Sequence, residues 1–377
     1  MKRIVIVTTV PETIYHILKL QPKFLSRTFE VIIITSSSTL NSKISEVEGV
    51  RVVEVDMNRG VSPIKDLHSI YKMTKVLRDI KPDLIHSFTP KAGLVAMTSS
   101  WMLNIPVRIH TFTGLIFPTL YGFRKFLISN IDRLICLLAT KIIPEGEGVK
   151  SDLLNYKITS KPLDVLGFGN IAGVDLEYYS PSVGIDGYLN SCEEHIFSFG
   201  FVGRLSKDKG ISELVSAFEK LNSRSKLFLV GDIDSRDPID TDTLNLIKSN
   251  PNIDWVGFQS DIRRYLNLID VLVLPSYREG FPNVVLQAGA FGKPSIVTDV
   301  NGSREIISNG FNGWVVEPRS IDCLLSAMTS ALSTSSFDMD TFGKNARDNI
   351  ESKFCRKKYW SIVESFYLRE LDFEKNF

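Results

Sequence analysis

Cysteine is scarce in this chain of 377 residues, and its four copies show no C-x-x-C or other metal-ligand spacing. Scattered cysteines of this kind are typical of reduced thiols in a cytosolic protein rather than of a disulfide framework. An excess of charge of one sign is also lacking, since 44 lysines and arginines face 43 aspartates and glutamates. A dedicated nucleic-acid-binding protein usually has a clear basic excess, so we expect no nucleic acid partner.

Long hydrophobic runs are lacking as well. No segment approaches the roughly twenty apolar residues that a membrane-spanning helix needs. The N-terminus, MKRIVIVTTVPE, has an apolar run too short for a secretory signal peptide. We therefore expect a cytoplasmic protein. Its hydrophobic fraction of 44% suffices for the cores of two domains of ordinary size.

Short β-branched runs alternate with segments of helical periodicity in both halves of the chain. This alternation predicts an α/β fold with two Rossmann-like, doubly wound parallel sheets. In the first half the pattern predicts strands over Ile4–Val10, Val31–Ile34, Val52–Val55, Asp83–Ser87, Val107–Thr111, from Ile142, and over Leu163–Leu166, and helices over Thr13–Leu25, Asp66–Arg78 and Ala92–Leu103.

A glycine-rich segment, Gly167–Asp175, separates the halves. Glycine absorbs backbone change at low cost, so this composition is expected between moving domains. We predict an N-terminal domain over residues 1–170, a hinge linker over 171–194 and a C-terminal domain over 195–354. A terminal helix is predicted within residues 355–377.

The most informative segment of the second half runs from Val271 to Glu305. A buried strand, Val271–Leu274, precedes a polar loop, and Pro282 opens a short helix over Asn283–Gly292. Because ligands bind at the carboxyl ends of parallel strands, the free N–H groups of this helix form a ready anion site. Glu279 in the loop would repel a bare phosphate, so a nucleotide sugar, which is both anionic and hydroxyl-rich, fits better.

A second loop of the C-terminal half carries Arg204 and Lys209 directly after the strand predicted over Ile196–Val202. Two cations on one such loop can clamp a diphosphate, the arginine as a planar fork and the lysine as a point charge. The alternative is a charged turn in which Asp208 pairs with Lys209.

Three polar loops follow strands of the first half and contain Thr9, Lys91 and His110. Lys91 lies just ahead of a helix and could bind a phosphate, while His110 could hydrogen-bond a sugar hydroxyl group. The alternative for both is a polar loop residue satisfied within the fold. His16, His68 and His195 cluster with no acid at metal spacing, so we interpret them as structural.

These motifs resemble those of retaining GT-B glycosyltransferases of family 4, the type that builds bacterial capsule, O-antigen and exopolysaccharide. The sequence Glu279-Gly280-Phe281-Pro282 matches the family's nucleotide-sugar motif, and GR-x-x-x-x-KG matches its phosphate-binding loop. The resemblance implies a catalytic contact of Glu279 with the donor sugar, and of His110 with the same sugar. It also implies donor binding by Arg204, Lys209, Gly280, Phe281, Asn283, Val284 and Gln287, and acceptor binding by Thr9 and Lys91.

One position departs from the family pattern. Eight residues after Glu279 the family has a second acid that holds the ribose, whereas this chain has Gln287. An amide both donates and accepts hydrogen bonds, so a ribose contact is retained, but the amide supplies no charge.

The resemblance further implies two domains facing a cleft, with the terminal helix crossing back onto the first. It implies transfer of a hexose or N-acetylhexosamine from a nucleotide sugar, with UDP favoured, to a lipid-linked glycan. Configuration would be retained, with the leaving phosphate taking the acceptor proton and no metal cofactor. Two other interpretations stay open: a nucleotide-sugar epimerase on the same fold, and a non-catalytic sugar-binding partner.

The segment Leu120–Lys141 combines a broad apolar stripe with basic flanks, including Arg124, Lys125 and Arg133. One interpretation is a core helix with a solvated basic edge. The other is a helix at the inner face of the membrane, attracted by anionic lipid as a peripheral contact.

Overall fold

The computed structural model describes residues 1–58, 60, 62–181, 196–221, 223–235 and 237–373. Two compact units are formed, one by Met1–Gly173 with Arg356–Phe377 and the other by Val174–Cys355. Residues 182–194 of the predicted hinge, together with His195, lie outside the described residues.

The first unit is built on a six-stranded parallel sheet in the order β3-β2-β1-β4-β5-β6. Successive strands run outward from β1 in one direction and from β4 in the other, so the topological switch point lies between β1 and β4. The strands are β1 (Arg3–Thr8), β2 (Glu30–Thr35), β3 (Arg51–Glu54), β4 (Leu84–Phe88), β5 (Val107–Phe112) and β6 (Lys141–Pro144).

Helices cover both faces of this sheet, and two separate apolar clusters form its core. Burial on both faces explains why β1 is a continuous run of β-branched residues from Ile4 to Thr8. The helices are α1 (Gln21–Leu25), α2 (Leu40–Glu48), α3 (Pro63–Ile80), α4 (Pro90–Met102), α5 (Gly122–Leu138) and α6 (Glu147–Asn155), with a π-helical turn over Thr13–Ile17.

Two predictions for the first unit are wrong. The helix predicted over Thr13–Leu25 breaks at Leu20, whose φ is 66°, because the buried carboxylate of Glu48 accepts the backbone N–H of Leu20 at 2.8 Å. The strand predicted over Leu163–Leu166 does not form. Its two leucines are buried in the core without joining the sheet, so their apolar character reflects packing rather than strand pairing.

The second unit repeats the architecture, with a six-stranded parallel sheet in the order β12-β11-β10-β7-β8-β9. Its switch point lies between β7 and β10. The strands are β7 (Phe197–Val202), β8 (Ser225–Val230), β9 (Ile253–Gly257), β10 (Val271–Leu274), β11 (Ser295–Thr298) and β12 (Gly313–Val316). The predicted α/β class with two doubly wound sheets is confirmed.

The helices of the second unit are α7 (Ile211–Lys220), α8 (Thr241–Ser249), α9 (Arg263–Leu268), α10 (Asn283–Ala290), α11 (Ser303–Ile306), α12 (Ile321–Ser333) and α13 (Ser336–Lys353). The last helix, α14 (Arg356–Phe373), belongs to the first unit. Tyr359, Trp360, Phe366 and Tyr367 are buried in one of the two core clusters of that unit, and the Tyr367 hydroxyl lies 2.5 Å from Nδ1 of the buried His86. None of the helices in the described ranges has the length and apolar character that crossing a membrane requires.

Candidate functional site

The two loops at the switch point of the second sheet are packed backbone to backbone. The loop after β7 ends at Gly210, whose φ is 68°, and a Cβ there would lie 2.2 Å from the Pro275 carbonyl oxygen. The Tyr277 N–H donates to the Asp208 carbonyl oxygen at 2.8 Å. Only glycine permits this approach, so Gly210 is required for the loop after β7 to pack against the loop after β10.

An ion pair joins the same two loops. The Lys209 ammonium lies 2.6 Å from Oε1 of Glu279, and the two side chains are 18% and 12% exposed. Asp208 pairs with Arg278 instead, at 3.2 Å, so the alternative in which Asp208 pairs with Lys209 does not describe the turn. An ammonium has three N–H donors and the bond to Glu279 uses one of them. Lys209 can therefore donate to a phosphate oxygen while it stays bonded to Glu279.

Arg204 lies on the loop after β7 and donates through one guanidinium nitrogen to Asp234. The Asp234 side chain is buried, whereas that of Arg204 is 57% exposed. A guanidinium carries five N–H donors in a planar fork. The buried carboxylate therefore orients an arginine that still reaches solvent.

Helix α10 begins directly after the loop that holds Glu279. Pro282 occupies the N-cap position with extended backbone, rather than the first helical position that the sequence predicts, and no side chain caps the helix. The Phe281 ring is buried and packs 5.5 Å from the Phe354 ring, centroid to centroid. The predicted contact of Phe281 with the nucleotide sugar would therefore be made by its backbone.

Gln287 lies half-buried one turn into α10, where its Nε2 donates to the Tyr179 hydroxyl at 2.9 Å. Val284 is half-buried as well. A glutamine amide has a carbonyl oxygen in addition to its NH₂ group, so the bond to Tyr179 orients Gln287 without using its acceptor. Sequence patterns alone do not reveal Tyr179, because it lies 108 residues away along the chain.

The predicted acceptor residues of the first unit are tied to other groups of that unit. Thr9 and Thr89 share a hydrogen bond of 2.6 Å between their hydroxyl oxygens. The Lys91 ammonium lies 2.6 Å from each carboxylate oxygen of Asp66, and both side chains are nearly buried. A cation held between two oxygens in this way is less available to a phosphate than the sequence suggests.

His110 is fully buried beneath α4. Its Nδ1 lies 2.8 Å from the Ser87 hydroxyl, and a Cβ on Gly93 would lie 2.4 Å from the ring, so the ring fits only because residue 93 is glycine. Burial lowers the pKa of His110 to about 3, which makes the imidazole neutral at physiological pH. A neutral ring can hydrogen-bond a sugar hydroxyl but cannot supply a proton as an imidazolium.

A pocket of about 390 Å³ lies at the switch point of the first sheet. Residues that follow β1 and β4, among them Thr9 and Lys91, form one side of it, and α5 contributes Ile128, Ile131 and Asp132. Asp132 belongs to none of the sequence motifs described above. The sequence feature that could have revealed this residue is its position on the apolar face of α5, four residues from Ile128 and four from Cys136.

The structure thus groups the predicted residues by unit. In the second unit, Lys209 and Glu279 are in direct contact, and in the first, Thr9 and Lys91 line one pocket without His110. In the part of the chain that the structure describes, no three histidines, cysteines or acids come together as a metal site.

Two protein-family models match the chain, and each of them covers one of its two sheets. Residues 194–349 match the model of group 1 glycosyl transferases, and residues 6–144 match that of 4-like glycosyl transferases.

Three curated relatives are similar over most of the chain. The capsular polysaccharide biosynthesis glycosyltransferase CapM of Staphylococcus aureus is 31% identical over 324 residues, which are 83% of each chain. A UDP-Gal:alpha-D-GlcNAc-diphosphoundecaprenol alpha-1,3-galactosyltransferase of Escherichia coli is 25% identical over 82% of this chain and 81% of its own. An N,N'-diacetylbacillosaminyl-diphospho-undecaprenol alpha-1,3-N-acetylgalactosaminyltransferase of Campylobacter jejuni is 26% identical over 75% and 77%.

Two solved structures share the fold over nearly the whole chain. A glycosyltransferase from Rickettsia africae superposes with a TM-score of 0.80 at 21% identity and covers 98% of this chain and 99% of its own. Anabaena HepE in complex with UDP superposes with a TM-score of 0.78 at 16% identity and covers 97% and 100%.

Proposed function

Because this chain belongs to the GT-B glycosyltransferases of group 1 with a 4-like N-terminal domain, we propose that it transfers a hexose or N-acetylhexosamine from a UDP-linked donor to a lipid-linked glycan. The pathway proposed is the synthesis of a bacterial surface polysaccharide. In support, the Staphylococcus aureus relative is named for capsule biosynthesis, and the other two for sugar transfer to diphospho-undecaprenol substrates.

The observation that carries the proposal is the contact between the loops after β7 and β10. It places the Lys209 ammonium and the Glu279 carboxylate 2.6 Å apart at the switch point of a parallel sheet, where α/β proteins bind nucleotides. A cation suits the diphosphate and a carboxylate suits sugar hydroxyl groups. A UDP-sugar presents both kinds of group side by side, which supports the predicted roles of these two residues.

In the proposed reaction the anomeric carbon loses its bond to the β-phosphate oxygen and gains a bond to the acceptor oxygen on the same face. The departing diphosphate takes the acceptor proton. Negative charge grows on the diphosphate, and Arg204, Lys209 and the N-terminus of α10 are proposed to stabilise it. These groups supply the positive charge that a metal ion gives other transferases, so the proposed reaction needs no metal cofactor. Gln287 is proposed to hold the ribose.

We also propose a peripheral contact between α5 and the inner face of the cell membrane. The core-helix interpretation fits one side of α5, and the exposure of the other side supports the proposed membrane contact. Ile135 and Leu138 face the core, while Phe123, Phe126, Leu134 and Leu137 are exposed. Apolar side chains that recur along one face beside basic residues suit the boundary between headgroups and acyl chains. The contact would bring a lipid-linked acceptor to the enzyme.

The test is a transfer assay with a panel of UDP- and GDP-sugars and N-acetylglucosamine-diphosphoundecaprenol as the probe acceptor. Mass spectrometry should find the acceptor heavier by one sugar unit for a UDP-sugar, with activity unchanged by EDTA. The anomeric coupling in the NMR spectrum of the product should match that of the donor. An epimer formed from donor alone would support the epimerase instead, and donor binding without hydrolysis or transfer would support the non-catalytic partner.

A further inference from the structure

Tyr277 lies on the loop after β10, two residues before Glu279, and has no role in the reaction proposed above. Its hydroxyl group donates to Oε1 of Glu213 at 2.5 Å, and Glu213 lies in the first turn of α7. Its backbone N–H donates to the Asp208 carbonyl oxygen at 2.8 Å. One residue therefore joins the loop after β10 both to the loop after β7 and to the helix that follows that loop.

The bond between Tyr277 and Glu213 joins a phenol to a carboxylate. Burial and the bond to Glu213 raise the pKa of Tyr277 above its ordinary value, so the phenol keeps its proton and is the donor. The first turn of a helix favours a carboxylate, because the helix dipole places positive charge there. Hydrogen bonds to an ionised acceptor are stronger than those between neutral groups. This bond therefore holds the Tyr277 side chain firmly against α7.

Glu213 makes this bond and no other among the residues that the structure describes. Its second carboxylate oxygen is buried without a hydrogen-bond partner. Arg319, on the exposed loop after β12, covers the other partner, with its guanidinium carbon 4.6 Å from the centroid of the Tyr277 ring, a distance at which a cation is attracted to an aromatic face. Loops after three strands of the sheet therefore meet at Tyr277.

The segment that Tyr277 holds contains one charged group of the donor site and faces the other. Glu279 follows two residues later and forms the ion pair of 2.6 Å with Lys209. Arg278, between them in sequence, pairs with Asp208 at 3.2 Å. Because Tyr277 is fixed to α7 and Glu279 is only two residues away, the position of the Glu279 carboxylate depends on the Tyr277 side chain.

We infer that Tyr277 is a positioning residue, whose bond to Glu213 holds the Glu279 carboxylate where it contacts the hydroxyl groups of the donor sugar. The inference rests on the proposed function for the role of Glu279. The diphosphate contact is independent of the Tyr277 hydroxyl group, because Arg204 is oriented by Asp234. Loss of the hydroxyl group should therefore affect the sugar part of the donor and spare the diphosphate part.

The test uses Tyr277→Phe, which removes the hydroxyl group and keeps the ring. Calorimetric titration of the full chain compares UDP with UDP-glucose, UDP-galactose and their N-acetylated counterparts, and the sugar nucleotide that the wild type binds most tightly serves as the probe. Tyr277→Phe should bind UDP within about twofold of the wild type and the probe about fivefold or more weakly, since a contact of about 1 kcal/mol is lost. The kcat for hydrolysis of the probe should fall by about tenfold, because the sugar is less well oriented.

Three further variants separate positioning from a general effect on the fold. Glu213→Gln keeps an oxygen that accepts from Tyr277, so it should retain most of the probe affinity, whereas Glu213→Ala should behave like Tyr277→Phe. Combining Tyr277→Phe with Glu213→Ala should weaken probe binding no further, because both changes remove the same bond. Tyr265→Phe is the matched control, since Tyr265 is half-buried on α9 of the same unit, and it should bind UDP and the probe like the wild type.

An unchanged ratio of probe affinity to UDP affinity in Tyr277→Phe would overturn the inference. This result includes an equal loss for both ligands, which is expected of a residue that only stabilises the fold and would be accompanied by weaker resistance to urea. If Tyr277→Phe does not fold, the ratios in Glu213→Gln and Glu213→Ala decide, and equal ratios in these two variants would contradict the positioning role. A wild type that binds neither UDP nor any probe would contradict the proposed function itself, whereas a wild type that binds both, with Tyr277→Phe unchanged, would contradict only this inference.

Discussion

Lys209 and Glu279 form an ion pair of 2.6 Å, with both side chains more than four-fifths buried. Removing one partner of a buried pair leaves the other charge uncompensated. We predict that Lys209→Ala lowers the free energy of unfolding by about 1–3 kcal/mol and weakens donor use at the same time. Urea unfolding followed by fluorescence measures the first effect, and the KM for UDP-sugar measures the second.

Lys209→Arg is the matched control, because it keeps the charge at this position. Glu279→Gln should disturb stability less than Lys209→Ala, since it leaves an ammonium that can reach solvent. A Lys209→Ala variant as stable as the wild type would show that the pair is not formed in solution.

Gln287 and Tyr179 are predicted to act together in holding the donor. Gln287→Glu should stay active, because the Tyr179 hydroxyl can donate to a carboxylate and the carboxylate can accept from ribose. Gln287→Ala should raise the dissociation constant of UDP by about fivefold or more, the equivalent of about 1 kcal/mol. Tyr179→Phe should give a smaller rise. If Gln287→Ala binds UDP as the wild type does, the ribose assignment is wrong.

The exposed face of α5 is predicted to bind anionic vesicles weakly and in a salt-sensitive way. Each cation near such a surface contributes roughly 1 kcal/mol, so Arg124→Gln with Lys125→Gln should reduce sedimentation with phosphatidylglycerol vesicles severalfold. Arg133 is a less suitable first target, because its guanidinium also donates to the Tyr156 and Lys157 carbonyl oxygens.

The matched control neutralises two exposed cations of the second unit, Lys220→Gln with Lys248→Gln, and should leave sedimentation unchanged. UDP-sugar hydrolysis should be the same in both double variants. Absence of sedimentation of the wild type at low salt would mean that α5 makes no such membrane contact.

Asp132 is predicted to lower stability at neutral pH. Its pKa is about 7 when folded, against 3.8 for an ordinary aspartate, so the folded state binds more protons than the unfolded state between these values. Stability therefore falls as pH rises through this window and is lowest above pH 7. Asp132→Asn should unfold like the wild type near pH 4 and be more stable at pH 8, by on the order of 4 kcal/mol.

The comparison is best made by thermal unfolding at several pH values, with Ser129→Ala as the control on the same helix. The thiol of Cys136, whose pKa is raised by burial and by Asp132, and Lys91, which lines the same pocket, are unchanged in the variant. A stability difference between Asp132→Asn and the wild type that does not vary with pH would contradict the raised pKa.

Much of the fold could be predicted because its signals are local. Strand β10 begins and ends where the sequence predicts, since it is a continuous apolar run between turn residues. Helix α13 gives a weak signal, because only three of its 18 residues are buried. The break at Leu20 depends on Glu48, 28 residues further on, and no local pattern reveals such a contact.

The same difference between local signals and long-range contacts applies to the candidate site. Arg204, Lys209 and Glu279 stand out because charged residues directly after buried strands are conspicuous in sequence. Their partners are not, since Asp234 reaches Arg204 across 30 residues and Glu279 reaches Lys209 across 70. The sequence therefore predicts which residues are chemically able to bind, and the fold decides which of them are already paired.

Titration of UDP into the wild type and Arg204→Ala tests the central claim most directly, namely that the loops at the switch point of the second sheet hold the nucleotide diphosphate. Arg204 also pairs with the buried Asp234, so urea unfolding of each protein accompanies the titration, and Arg204→Lys controls for charge. We predict one UDP site in the wild type and affinity at least tenfold weaker in Arg204→Ala, since a charged hydrogen bond to phosphate contributes about 1.5–3 kcal/mol. No binding of UDP to the wild type, or equal affinity in both proteins, would contradict the account.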